Sequence, residues 1–132
     1  MALEGIRNVS VEVAATALSA GANSVMSLPA QTVVLAAGVE VTEALTGASS
    51  LVFDIGAADD DAFVAAYEMA SKAVGAVAPS IAGISYMGAA DTLDITVDTL
   101  TGTATAGKLR VWALLMNVDG EGAAEVARDA LA

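Results

Sequence analysis

The chain has 132 residues, enough for one compact domain, and its sixteen acidic against five basic residues give a formal charge of −11. A phosphate backbone would be repelled by that balance, so the composition predicts no nucleic-acid partner. With no Cys and no His, disulfides, thiolate nucleophiles, Cys/His metal sites and the usual proton shuttle near neutral pH are all missing.

Alternation begins early. In Ile6 to Val13, residues Val9, Val11 and Val13 share one face while Asn8, Ser10 and Glu12 share the other, the pattern of a half-exposed strand. Gly21-Ala22-Asn23-Ser24 supplies turn chemistry and Leu28-Pro29-Ala30 marks an edge or loop. A long β-type run follows from Gln31 to Leu45. Its period places Val33, Leu35, Ala37, Val39 and Val41 on one face, with Thr32, Val34, Ala36, Glu40 and Thr42 on the other; Gly38 in mid-run predicts a bulge or bend.

Thr46-Gly47-Ala48-Ser49 reads as a hairpin connection into Ser50 to Gly56, with Leu51, Phe53 and Ile55 inward. After Asp59-Asp60-Asp61, the spacing of Phe63, Val64, Ala66, Tyr67 and Ala70 predicts a short helix over residues 60–71, its acidic start favoured by the helix dipole. Residues 74–87 read as an ordered loop with one short strand near Ile81 to Met87.

The clearest pair comes last. Leu93, Ile95 and Val97 alternate with Asp94, Thr96 and Asp98; across a loop from Thr99 to Gly107, Leu109, Val111, Ala113 and Leu115 join the core in a returning strand. The other face of that second strand shows Arg110, Trp112, Leu114 and Met116, apolar beyond Arg110, as in a strand covered on both sides. An Asp98–Arg110 ion pair across the two strands would fix their register. The tail from Glu121 to Ala132 is an Ala-rich helix candidate anchored by Val126 and Leu131, too short to be stable alone.

Six or seven short strands between turn signals predict a mainly β fold: an antiparallel β-sandwich or jelly-roll-like barrel with one short inserted helix and a candidate C-terminal helix. Residues 1–132 read as one domain, with a β core over 6–118 and an arm or helix over 119–132. Mean hydropathy is +0.68 and the stretch from Val13 to Val39 is free of charge. Ser19, Gly21, Asn23, Ser24, Ser27, Pro29, Gln31 and Thr32 interrupt it, however, and would leave polar groups unpaired in lipid, which argues against a membrane span. Glu4 and Arg7 precede any apolar run, so no secretory signal is read, and synthesis without export is expected.

Catalytic parts are scarce. Asp59-Asp60-Asp61 offers carboxylates for a cation but lacks the DxDxDG loop that calcium sites use, and Phe63 stands at the fifth position from Asp59; a solvated helix start accounts for it. Asp94 and Asp98 share a strand face about 13 Å apart, too far to chelate one ion. One Trp, two Tyr and two Phe do not build a sugar-binding cleft for paired carboxylates. Lys72 and Lys108 lie in no Ser-x-x-Lys pattern, and TGTATAGKL lacks the phosphate-loop spacing. The sequence therefore predicts no enzyme, no cofactor and no metal. Trp112, Leu114, Met116 and Arg110 are the candidate interface. The apolar three either fill a second core layer beneath the inserted helix, under Phe63, Val64 and Tyr67, or form a subunit contact.

The order LPAQTVVLAAGVEVTEALTGASSLVFDIG, an acidic DDDAF segment, and AADTLDITVDTLTGTATAGKLRVWALLMNV resembles small β-sandwich decoration, or cement, proteins of tailed bacteriophages and their relatives among head and tail fibres. The resemblance covers about two thirds of the chain, from Ser27 to Val118. It implies a homotrimer on the outside of the virion, bound to the major capsid protein at local threefold positions and made in the host cytoplasm. A fibre or receptor-binding module contacting a host surface through residues 73–90 and 99–107 is the alternative. A calcium-dependent adhesion module is a third.

Overall fold

In a computed structural model, which describes residues 6–80 and 85–118, the chain is mainly antiparallel β: β1 (Ile6–Ala14), β2 (Gly21–Leu28), β3 (Thr32–Gly56), β4 (Val64–Glu68), β5 (Val77–Ser80), β6 (Ser85–Met87) and β7 (Asp91–Asn117), with single 3-10 turns at Ala15–Ala17 and Met69–Ser71. Two strands organise everything else. β3 and β7 pair antiparallel along almost their whole lengths, from Thr32↔Asn117 to Gly56↔Asp94. The ribbon they form bends at a corner of repeated register shifts between Val41 and Ser50, and each half seeds one layer of a β-sandwich.

The first layer runs β1, the second half of β7, the first half of β3, then β5 and β6. In the second layer β2, the first half of β7, the second half of β3 and β4 lie side by side. Between them sits a single core cluster. Val34, Val39, Val41, Leu109, Val111 and Ala113 come from the first layer; Leu51, Phe53, Ile55, Leu93 and Ile95 from the second; all are fully buried. Leu28 and Met69 join them, also fully buried. Leu, Ile and Val dominate, and the close packing of the two layers removes them from water. The antiparallel sandwich expected from the alternation is the architecture observed.

Several local expectations are corrected. Residues 46–49 and 99–107 are not hairpin loops: they lie inside β3 and β7 at the corner, where Gly47 and Gly102 take positive φ and Thr46 and Thr105 bond through their hydroxyls at 3.1 Å. The two alternating runs at Leu93 and Leu109 are therefore halves of one strand and do not pair with each other. The helix over 60–71 is replaced by a turn, β4 and a 3-10 turn. Apolar side chains at Phe63, Val64 and Tyr67 suit either structure by spacing, but here Phe63 N–H donates to Ile55 C=O at 2.9 Å and Ala66 N–H donates to Asp54 Oδ1 at 2.7 Å, drawing the segment onto the edge of β3. Ala66 sits at φ 51° to make that contact.

The bulge expected at Gly38 lies three residues earlier. Register shifts between Val34 and Ala36, leaving Leu35 as the extra residue, so Val34 turns to the core and Val33 away from it. The predicted inward set holds from Ala37 onward. Turn chemistry at Gly21 to Ser24 is present but built from within β2: the Asn23 amide donates to the carbonyls of Ser19 and Gly21, both at 2.9 Å, while its oxygen accepts from Ser19 N–H. The strand read near Ile81 to Met87 is β6 at its far end, and residues 81–84 and the tail helix lie outside the described residues. Among the described residues no helix is long and apolar enough to cross a membrane.

Candidate interaction face

With the odd-numbered residues from Leu109 to Leu115 turned into the core, the even-numbered ones are displayed on the outside of the first layer. Cross-strand partners share a face, so the register builds that surface row by row. Ile6, Met116, Val33 and Tyr86 form the first row across four strands, with Ile6 58% and Tyr86 57% exposed. Asn8, Leu114 and Ala36 form the second, and Ser10, Trp112 and Gly38 the third. The fourth row carries the charge: Glu12, Arg110 and Glu40, with Arg110 Nη1 3.3 Å from Glu40 Oε1. Glu12 is held in turn by Thr42, whose hydroxyl donates to it at 3.3 Å.

Trp112, Leu114 and Met116 are thus brought together as the alternation indicated, each half-buried, with Arg110 at their charged rim. The Asp98–Arg110 pair is not formed. Arg110 stands opposite Glu40 because the two runs belong to one strand, and Asp98 lies beyond the corner beside Asp54. Phe63, Val64 and Tyr67 do not cover the Trp112 face either. They are buried in the core on the second layer's side, where the rings of Tyr67 and Phe53 meet at 5.3 Å. Periodicity found the face; Val33, Ile6 and Tyr86 escaped notice because only the bulge and the strand order bring them onto it.

Gly38 makes room for the Trp112 ring on this face. A Cβ there would stand 2.6 Å from the Trp112 ring and 2.6 Å from the carbonyl oxygen of Ala78, so only glycine lets the indole lie down on β3. The three uncharged rows measure about 14 Å across four strands and about 13 Å along β7. Such a patch is the centre of a contact rather than a whole one, since a stable pair buries ~800 Å² per partner.

Charge is gathered at the other layer. Asp59, Asp60 and Asp61 hold carboxylate oxygens within 4.8 Å of one another, all exposed, at the turn between β3 and β4. Hydrogen bonding with Asp59 and the charges of Asp59, Asp60 and Asp54 raise the Asp61 pKa above its ordinary value. Asp98 is raised as well, by a hydrogen bond with Asp54, then by desolvation and the same run of negative charge. Three adjacent exposed carboxylates at a turn do not by themselves make the six to eight oxygens that calcium takes, and like-charge repulsion among them favours the protonated form of Asp61. Burial raises the pKa of Tyr67, its hydroxyl oxygen has no hydrogen-bond partner among the described residues, and Lys72 Nζ lies 5.2 Å from its ring centroid. This assembles no nucleophile with a base.

No protein-family model matches the chain, and no curated protein matches it in sequence. Solved structures do share its fold. A chain of the cyanophage Pam1 capsid asymmetric unit superposes with a TM-score of 0.66 at 19% identity, over 85% of this chain and 84% of that one. A chain of the acidic stable capsid structure of Helicobacter pylori bacteriophage KHP30 does so with a TM-score of 0.67 at 13% identity, over 86% of this chain and 89% of that one. The fold is thus one found in bacteriophage capsids.

Proposed function

We propose that this chain is a non-enzymatic structural protein of a phage particle: a decoration or cement protein that sits as a homotrimer on the outside of the shell formed by the major capsid protein and stabilises it. The observation that carries this reading is the uncharged outer face centred on Trp112, Leu114 and Met116, displayed by a fold found in phage capsid structures. Arg110 and its glutamates bound that face and set the orientation of whatever docks there, since rim charges steer and register more than they hold. Burying one small patch in a pair falls short of a stable contact, whereas threefold symmetry buries it three times in one assembly.

Stabilisation follows from mass action. A protein that binds the assembled lattice and not its dissociated subunits shifts the equilibrium toward the lattice at every site it fills. The acidic exterior suits such a role: it disfavours contact with packaged DNA and keeps a protein made in many copies from clumping.

The test is sedimentation of shells assembled without this protein, with and without the recombinant chain. Saturable co-sedimentation and a higher melting temperature of the shell are expected, together with a solution mass of three protomers. Shells that neither bind the protein nor gain stability from it overturn the reading.

A further inference from the structure

The outer edge of β1, which borders the Trp112 face through Ile6, Asn8 and Ser10, is unpaired among the described residues. β1 pairs with β7 without a register shift from Ile6↔Met116 to Ala14↔Lys108, and no strand among the described residues pairs with its other edge. Natural sheets blunt such edges with charged side chains, above all lysine, with proline or bulges, or by keeping them short. This one is nine residues long without proline, lysine or bulge, and its charges are Arg7 and Glu12. Its core side is also incompletely covered. Val9, Val11 and Val13 stand opposite the core residues Ala113, Val111 and Leu109, yet Val11 is 37% exposed, and a cleft of about 380 Å³ lined by Val11, Val13, Leu18 and Val25 among others opens between the edges of β1 and β2.

We infer that this edge pairs with the β1 edge of a second copy, antiparallel across a twofold axis centred on Ser10. The sequence of β1 is self-complementary in that register. Val9 opposes the copy's Val11 on the core side, so the half-exposed valines cover one another. On the outer side Asn8 meets Glu12 and Ser10 meets Ser10. The two charged residues, Arg7 and Glu12, face Val13 and Asn8, so no like charges are opposed. Main-chain hydrogen bonds continue the first layer from one protomer into the next, the strand-addition mode of recognition.

The pairing needs no shell, but its use rests on the proposed function. Threefold positions on a closed lattice are related by twofold axes, so a twofold contact ties one trimer to its neighbour, which a threefold contact cannot do. Weak in solution, it gains from the high local concentration on the particle.

The chain has no cysteine, which makes the test clean. Ser10→Cys places two thiols directly opposite one another, within disulfide reach, whereas Asn8→Cys sets them roughly 13 Å apart in the same register. Under mild oxidation of the purified protein, Ser10→Cys is expected to form disulfide dimers on the order of tenfold faster than Asn8→Cys or the corner variant Ser49→Cys. Adding Val11→Lys, at a position exposed enough to keep the fold, should return the rate to the control level. Equal rates for all three cysteines, or a fast Ser10→Cys reaction that Val11→Lys leaves unchanged, overturn the inference. Because this readout involves no shell, it is separate from the sedimentation test.

Discussion

Trp112 lies on Gly38: the two are cross-strand partners, and the indole occupies the space where any other residue would carry its Cβ. Gly38→Ala must lift the ring or push β5 away, because the same Cβ meets the Ala78 carbonyl. A loss of about 1–3 kcal/mol is expected, in the range of overpacking substitutions. Thermal unfolding measures it, and the emission of the single tryptophan should shift to the red as the ring gains water.

Ala66 shows the opposite case. Its φ of 51° is a left-handed conformation that an alanine adopts at a cost, held by the Asp54 carboxylate on its N–H. Ala66→Gly keeps that hydrogen bond and removes the strain, so a gain of roughly 0.5–1 kcal/mol in chemical denaturation is expected, reduced by the greater freedom of glycine in the unfolded chain.

At the corner, Glu43 Oε1 accepts from Gly107 N–H at 2.8 Å in a partly buried setting. Glu43→Ala leaves that donor unpaired beside the packed Met69 side chain. About 1–3 kcal/mol should be lost, and Glu43→Gln, which keeps an acceptor oxygen, should lose less. Equal losses in the two variants would mean that the hydrogen bond is not what holds the corner.

The acidic cluster gives the stability a pH dependence of defined sign. Asp61 and Asp98 have pKa values raised above 3.8 in the folded state, so between 3.8 and those raised values the folded chain binds more protons than the unfolded one. Their contribution is fully present below 3.8 and is lost as pH rises through the folded values. Asp98→Asn should therefore raise the melting temperature at neutral pH, with the difference from the parent chain shrinking as the pH falls below 3.8. A constant difference across that range would remove repulsion among these carboxylates as the cause.

Alternation was a reliable guide wherever one face is buried and the register is unbroken. Leu93, Ile95 and Val97, and Leu109 through Leu115, lie where their period puts them, and the apolar face of Trp112, Leu114 and Met116 was visible for the same reason. A single bulge at Leu35 reversed the reading of Val33 and Val34, because one extra residue inverts every side chain upstream of it and leaves no trace in composition. The misread helix has another origin. Asp54 and Ala66 are twelve residues apart, and their hydrogen bond outweighs the local preference of an Ala-rich segment. Turn residues at Thr46-Gly47 and Thr99 to Gly107 were correctly seen as breaks but not as a shared one: only the pairing of β3 with β7 turns two apparent hairpins into one corner.

That corner has a mechanical consequence. The same two backbones run through both layers, so a pull on one layer is transmitted along covalent chain into the other, and loss of one exposes the core face of its partner. Slowly exchanging amides should accordingly fall in both halves of β3 and β7 and open together in one global event. A molecule wired in this way behaves as a rivet rather than a hinge.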